Sequence, residues 1–118
     1  MTDLQIVKSE KNQNNEQAVS CPIDFAFQRI GGKHRGKILW FLHEHQVLRY
    51  GELKRLIRGI TPKMLTQTLR ELEQDGMILR KVYLEVPPKV EYTLTAASIE
   101  LIPLLYGLRG WAQKRMVE

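Results

Sequence analysis

Few side chains in this chain could do covalent or metal chemistry. The 118 residues include one cysteine, Cys21, and three histidines. His43 and His45 lie two residues apart in "HEH", a spacing that points them to different faces of a helix and makes a poor metal pair. The stretch also lacks the HExxH spacing of zinc enzymes. The sequence therefore indicates no metal site, no cofactor and no nucleophile–base pair, and we expect no enzymatic activity.

Cys21 is the one group with reactive chemistry of its own. A single cysteine cannot form an internal disulfide, but a thiolate reacts with oxidants and electrophiles. A helix N-terminus and basic neighbours favour the thiolate, and both are predicted after Cys21, although Asp24 opposes them. The alternative is an inert thiol that packs as a small hydrophobic side chain. The sequence alone leaves both interpretations open.

A second set of side chains could bind a partner without reacting. The stretch "TPKMLTQTLRELEQDG", residues 61–76, reads as a helix with Thr61 as its N-cap, Pro62 at its first position and Gly76 at its end. Leucines recur at 65, 69 and 72, the spacing of one buried helix face. At 100° per residue, the opposite face carries basic and hydrogen-bonding side chains: Lys63, Thr66, Gln67, Arg70 and Gln74.

The charges of this predicted helix run against its dipole. Lys63 lies in the first turn, and three acids lie in the last two turns, whereas a helix is stabilised by the opposite order. A basic residue beside the free amides of a helix N-terminus suits a bound phosphate. A polar outer face is, however, common to amphipathic helices of any small domain, so this helix alone does not establish a binding site.

The charge of the whole chain also favours a polyanionic partner. Residues 21–118 contain 16 Lys and Arg against 10 Asp and Glu, a net charge of +6. Residues 29–37 contain four basic residues and no acid, and residues 49–63 contain five basic residues and one acid. Such basic patches are typical of nucleic-acid-binding proteins. No apolar run approaches the roughly 18 residues of a membrane span, and the N-terminus resembles no export signal, so we expect a cytoplasmic protein.

The predicted secondary structure begins after a polar segment. Residues 1–20 are predicted to be a flexible tail, and residues 21–118 are predicted to form one domain. Hydrophobic residues make up 43% of the whole chain, a content that suits a globular fold. A first short helix is predicted from Asp24, its N-cap, to the pair Gly31-Gly32. Two further helices are predicted in "KHRGKILWFLHEH" and "YGELKRLI".

After Gly76 the hydrophobic period changes from 3.6 to 2. "MILRKVYLEV" and "VEYTL" therefore read as two strands of a hairpin, with Leu84 and Val86 still inside the first strand and Lys89 at a tip stiffened by two prolines. A final helix is predicted over about 97–115, with Thr95 as its cap.

Three short helices, the helix over residues 61–76, a hairpin and a last helix predict a mostly α chain with a small β-hairpin, the order of a winged helix-turn-helix. In that fold the second helix of the motif enters the major groove of DNA. We therefore predict residues 61–75 as the recognition helix and residues 78–94 as the wing, placed on the flanking backbone or the minor groove. The predicted DNA-binding residues are Thr61, Pro62, Lys63, Thr66, Gln67, Arg70 and Lys89.

The chain also resembles a known family over residues 21–111. The stretches "CPIDFAFQRIGGK" and "YGELKRLIRGITPKMLTQTLRELEQDGMILRKVYLEVPPKVEYTLT" are similar to those of HxlR-type transcriptional regulators, relatives of the MarR group. The resemblance implies a dimeric DNA-binding winged helix that dimerises through its N-terminal and C-terminal helices. It also implies that a cysteine at the position of Cys21 can sense oxidants. His34 departs from the pattern, because the family usually has tryptophan there.

The two ends of the domain carry more apolar surface than its own core needs. In the last helix Leu101, Leu105, Leu108 and Ala112 form one stripe, Leu104 and Trp111 widen it, and Ile102 lies further round. We expect this excess to be buried by a partner subunit. The predicted dimer interface is Ile23, Phe25, Phe27, Leu104, Leu108 and Trp111. The alternative is a monomer in which Phe25 and Trp111 fold back onto their own core.

A two-fold dimer would present its recognition helices to half-sites about one helical turn apart, so we expect a pseudo-palindromic operator on double-stranded DNA. Two other functions compatible with this pattern are a winged helix that binds protein partners and a protein that compacts DNA without reading sequence. The sequence does not name the operator or the direction of regulation, and a small-molecule or oxidant effector stays open.

Overall fold

The computed structural model describes residues 21–116, which form five helices and one two-stranded antiparallel sheet. The order is α1, α2, α3, α4, β1, β2, α5, as the hydrophobic periods predict. Their bounds are α1 Pro22–Ile30, α2 Arg35–His45, α3 Tyr50–Leu56, α4 Pro62–Gln74, β1 Ile78–Tyr83, β2 Lys89–Leu94 and α5 Ala96–Met116. The tail predicted for residues 1–20 lies outside the described residues.

The core is built from the apolar faces of α2, α3 and α4 and from the start of the sheet. Leucine and isoleucine dominate it, and each fully buried side chain of this type contributes about 1.5–3 kcal/mol. The buried apolar residues in this cluster are Ile38, Leu39, Leu42, Leu48, Leu53, Ile57, Ile60, Leu65, Leu69, Leu72, Met77, Ile78 and Tyr92. The leucine stripe predicted for residues 65, 69 and 72 is thus confirmed.

Helix α4 has the ends that its sequence predicts. Thr61 Oγ1 accepts a hydrogen bond of 3.1 Å from the backbone N–H of Met64, and Pro62 occupies the first turn. After the helix, Gly76 has a φ of +74°, a conformation that glycine adopts without steric cost. These two ends determine which residues α4 presents to solvent.

Helix α1 begins earlier than predicted. Its N-cap is Cys21 in an extended conformation, and Pro22 stands at the first helical position, so the prediction of Asp24 as the N-cap is wrong. Proline is favoured there because its missing N–H would have no helical partner. Asp24 lies instead in the first turn, where a carboxylate complements the helix dipole. No residue of α1 is buried.

The hairpin is shorter than its alternating pattern predicts. Ile78 pairs with Leu94 at one end and Tyr83 with Lys89 at the other. Leu84 and Val86, predicted inside the first strand, lie beyond Tyr83 in the connecting loop and are almost fully exposed. The reason is that prolines 87 and 88 have no N–H to donate to a ladder, so no strand faces residues 84–86.

Backbone contacts fix the hairpin to the helices on both sides. Leu48, just before α3, and Tyr92 exchange N–H···O bonds of 3.2 and 2.9 Å. Thr95 Oγ1 donates to the carbonyl of Gly76 at 2.7 Å and accepts from the N–H of Ser98 at 3.2 Å. Thr95 therefore caps α5, as predicted, and also joins the start of α5 to the end of α4.

Helix α5 packs across α2 and then runs beyond the core without interruption, with Pro103 inside it. Ile102 is buried, although the predicted stripe placed it to one side, while Leu101 and Leu105 are half-buried against the core. The core-facing side of α5 is therefore rotated from the predicted one. Tyr106 contacts α2 by an edge-to-face stack on Trp40, with the ring centroids 5.0 Å apart.

Candidate nucleic-acid interface

The exposed side of α4 brings together five of the seven predicted DNA-binding residues. A shallow depression of about 400 Å³ is lined by Pro62, Lys63, Thr66, Gln67 and Arg70. Thr61 stands immediately before it as the N-cap. The N-terminal turn of α4 thus lies on the same surface as one lysine and one arginine, an arrangement suited to phosphate and to base edges.

The basic side chains on this surface keep their charge available. Within residues 21–116, no carboxylate oxygen lies within 4.0 Å of Lys63 or Arg70. Thr66 is partly engaged already, because its hydroxyl lies 3.3 Å from the hydroxyl of Tyr50, which also donates to the carbonyl of Pro62 at 3.1 Å. Tyr50 therefore fixes the first turns of α4 against α3.

A groove of about 370 Å³ separates α4 from the hairpin and adds a residue that the sequence pattern did not single out. Arg70 on α4 and Arg80 on β1 both line it, together with Tyr50, Tyr92 and the acid Glu73. Strand alternation puts Arg80 on the same side of β1 as the buried Ile78, yet its side chain is exposed. A signal was present, because Arg80 is the one charged residue among the apolar positions on that side of the strand.

Lys89 does not lie at the tip of the hairpin, so that part of the prediction is wrong. It is the first residue of β2, and its Nζ lies 3.9 Å from Glu85 Oε2 and 3.8 Å from Glu91 Oε2. The ammonium also lies 4.4 Å from the centre of the Tyr83 ring. Two carboxylates therefore already compensate the charge predicted to contact DNA.

Two of the three acids at the far end of α4 have partners inside the protein. Arg35 Nη2 donates to Glu71 Oε1 at 2.7 Å, and Arg35 Nη1 donates to Asp75 Oδ2 at 3.0 Å. Arg29 Nε lies 4.0 Å from the same Asp75 oxygen. Two of the four basic residues in the run 29–37 are thus used in this cluster, and that run is not the open basic patch that its composition predicts.

A hydrogen bond also reaches from this cluster to the exposed surface. Gln67 Nε2 donates to Glu71 Oε2 at 3.1 Å, one helical turn along α4. Glu71 thus accepts from Arg35 with one carboxylate oxygen and from Gln67 with the other.

The predicted dimer residues are exposed at both ends of the domain. They comprise Ile23, Phe25 and Phe27 on α1 and Leu104, Leu108 and Trp111 on α5, with 48–62% of each residue's surface accessible. The fold-back that a monomer would require is not seen for Phe25 or Trp111. The thiol of Cys21 is exposed as well, at the start of α1.

His34 is the buried titratable group nearest to the Arg35 cluster. It is the N-cap of α2, and its Nδ1 has no hydrogen-bond partner among residues 21–116. Burial lowers the pKa of His34 below its ordinary value of 6.5, and the positive charges of Lys37 and Lys33 lower it further. The imidazole is therefore held in its neutral form near pH 7.

Two other classes of site are not found between Cys21 and Met116. These residues contain no group of three or more His, Cys, Asp and Glu side chains placed to hold a metal ion. None of the helices described here is both long and apolar enough to cross a membrane.

A three-helix unit in which α4 exposes Lys63 and Arg70, with a hairpin beside it that is bonded to the helices through Leu48 and Tyr92, defines a winged helix-turn-helix protein. The sequence comparisons make the assignment narrower. The family model for the HxlR-like helix-turn-helix matches residues 29–118. The chain belongs to the HxlR-like helix-turn-helix family, and the resemblance seen in the sequence is confirmed.

Relatives named as transcriptional regulators agree with this assignment. The HTH-type transcriptional regulator YkvN of Bacillus subtilis (strain 168) is 49% identical over 92 residues, which are 78% of this chain and 77% of YkvN. YybR of the same organism, also an HTH-type transcriptional regulator, is 39% identical over 105 residues, 89% of this chain and 83% of YybR.

Solved structures show the same fold. The redox regulator HypR in its oxidised form superposes with a TM-score of 0.75 and 40% identity, covering 80% of this chain and 96% of that one. The reduced form of the transcriptional regulator YodB from B. subtilis gives a TM-score of 0.71 and 34% identity, covering 81% and 94%. This chain is thus a helix-turn-helix transcriptional regulator, of the winged type predicted from the sequence.

Proposed function

We propose that this chain is a homodimer that binds a pseudo-palindromic operator, with α4 in the major groove and the hairpin on the flanking backbone or the minor groove. The observation that carries the proposal is the surface formed by Pro62, Lys63, Thr66, Gln67 and Arg70. It combines two cations that bind phosphate with side chains that hydrogen-bond to base edges. The N-cap Thr61 completes the turn that approaches the DNA.

We assign the contact between the wing and DNA to Arg80 rather than to Lys89 alone. Arg80 faces the groove between α4 and the hairpin, and no carboxylate within residues 21–116 lies within 4.0 Å of it. Lys89 could contact phosphate only if the phosphate displaced Glu85 and Glu91 from its ammonium group.

We infer a non-enzymatic, cytoplasmic role, since the relatives named above are transcriptional regulators.

The experiment that tests this function measures affinity for genomic fragments and for random duplex at one fixed salt concentration, since both affinities depend steeply on salt. A sequence-specific regulator should bind its selected fragments at least about 10³-fold more tightly than random duplex. A ratio near one would support DNA compaction without sequence readout. No binding to any duplex would support the alternative of a winged helix for protein partners.

Thiol control is the second part of the proposal. The exposed Cys21 supports it, as do structural neighbours described as a redox regulator, HypR, and as diamide-treated YodB. With one cysteine in each chain, a disulfide between two copies would join Cys21 to its equivalent in the other subunit. Diamide treatment should then change operator affinity, and Cys21→Ser should abolish the change. An unaltered affinity after complete thiol modification would show that Cys21 does not control DNA binding.

A further inference from the structure

The amide of Gln67 has a defined orientation in this structure. Its Nε2 donates to Glu71 Oε2 at 3.1 Å. A carboxylate only accepts hydrogen bonds, so the nitrogen of the amide, and not its oxygen, must face Glu71. The carbonyl Oε1 and the second N–H of the amide are left for the exposed surface.

Glu71 is itself held in place from the side of the core. Its Oε1 accepts from Arg35 Nη2 at 2.7 Å, while Arg35 Nη1 bonds to Asp75 Oδ2 at 3.0 Å. Only 17% of the Arg35 side chain is exposed. One charge-assisted bond reaches Glu71, and the bond to Asp75 orients the guanidinium that donates it, which restricts the rotation of the Glu71 side chain. Arg35, Glu71 and Gln67 therefore form a continuous chain of hydrogen bonds from the start of α2 to the exposed face of α4.

We propose that Gln67 reads an adenine in the operator and that Glu71, held by Arg35, is a positioning residue that sets the orientation of its amide. The proposal rests on the proposed function, because it requires α4 to lie in the major groove. An amide with one acceptor and one donor matches the N6 amino group and the N7 of adenine. Guanine offers two acceptors there, cytosine a donor and thymine an acceptor beside its methyl group, so adenine alone satisfies both amide groups.

A glutamine without a side-chain partner loses rotamer freedom when it binds, and this loss opposes binding. Gln67 is already oriented before it meets DNA. The adenine contact should therefore be weakened when Glu71 is changed, even though Glu71 does not touch the base.

The test uses the selected operator and copies in which one adenine at a time is replaced by 7-deazaadenine, which lacks N7. For wild-type protein, one such position in each half-site should lower affinity by about 5- to 150-fold. Gln67→Ala should bind the normal and the 7-deaza operator equally at that position. The readout is the ratio of the affinity for the normal operator to the affinity for the 7-deaza operator. A general loss of protein stability does not change this ratio.

Three further variants separate positioning from charge. Glu71→Gln keeps the shape of the side chain but presents either an oxygen or a nitrogen to Gln67, so the affinity ratio should fall toward that of Gln67→Ala. Arg35→Lys keeps the positive charge but removes the planar guanidinium that bonds to Glu71 and Asp75 together. The affinity ratio of this variant should lie between those of wild type and Glu71→Gln. Glu44→Gln makes the same charge change at an exposed position on α2 and should leave the ratio unchanged. Thermal unfolding of each variant identifies any that fails to fold.

The outcomes distinguish this proposal from the function on which it rests. The adenine contact would be overturned if wild-type protein selects an operator but no 7-deazaadenine substitution lowers its affinity, or if the loss of affinity persists in Gln67→Ala. A normal ratio in folded Glu71→Gln would overturn the positioning role. Wild-type protein that binds selected and random duplex equally would overturn the proposed function itself, and this inference with it.

Discussion

Arg35 Nη2 lies 2.7 Å from Glu71 Oε1, and this ion pair joins the first residue of α2 to the last two turns of α4. The same guanidinium reaches Asp75, which stands at the C-cap of α4. Carboxylates near a helix C-terminus are unfavourable on their own, so the arginine offsets the charge order that opposes the dipole of α4. Lys63 and Arg70 on that helix have no carboxylate within 4.0 Å among residues 21–116.

The first prediction concerns the stability that this pair supplies. Arg35→Ala should lower the free energy of unfolding by about 1–2 kcal/mol, a value between those of exposed and buried ion pairs, because Arg35 is mostly buried and Glu71 is not. Urea unfolding monitored by circular dichroism measures the change. Arg55→Ala is the control, since Arg55 is exposed and has no carboxylate within 4.0 Å in the described part of the chain. Equal destabilisation in both variants would contradict the special role of Arg35.

The second prediction separates the two basic residues of the wing. Arg80→Ala should weaken binding to all duplexes alike and reduce the slope of log affinity against log salt by about 0.9 for each phosphate that Arg80 neutralises in the wild-type complex. Lys89→Ala should have a smaller effect, because Glu85 and Glu91 already lie within 4.0 Å of its ammonium. Affinity titrations at four or more salt concentrations measure both quantities. A larger reduction of the slope in Lys89→Ala would reverse the assignment.

Local sequence signals predicted much of the fold. The cap at Thr61, the proline after it and the glycine at 76 defined α4 correctly, because each acts through its own backbone conformation. The change of period after Gly76 identified the hairpin for the same reason. Where the hairpin strands end was less predictable, since alternation continues through Leu84 and Val86 although no partner strand faces them.

Some mispredictions depend on contacts between distant parts of the chain, and others do not. Arg35 meets Glu71 across 36 positions in sequence, so composition alone could not show that the basic run 29–37 is partly neutralised. The two acids beside Lys89 lie within four residues of it in sequence, so that signal was present and was missed. The rotation of α5 that buries Ile102 depends on how the helix packs, and no spacing within α5 specifies it.

The third prediction concerns the pH dependence of stability. The pKa of His34 is lowered in the folded state, so the unfolded chain binds a proton more readily, and stability is lost as pH falls below about 6.5. Burial is the main cause, and Lys37 and Lys33 add to it. Urea unfolding at pH 7.5 and 5.5 should show a smaller difference in His34→Asn than in wild type, because asparagine can cap α2 but does not titrate. The matched control is His45→Asn at an exposed site, and an equal slope in His34→Asn and wild type would contradict the prediction.

The last prediction is that Trp111 and Phe27 lie in the interface between two subunits. Both are more than half exposed in the single chain, and each large aromatic side chain can bury roughly 150–250 Å². Trp111→Asp should therefore raise the dimer dissociation constant by about 30-fold or more, the effect of removing a buried aromatic anchor. Leu84→Asp is the control, because Leu84 is also apolar and almost fully exposed but lies in the loop of the hairpin. Analytical ultracentrifugation across micromolar concentrations measures both. Wild-type protein that sediments as a 13.8 kDa species at every concentration, and binds its operator with one copy, would exclude the dimer.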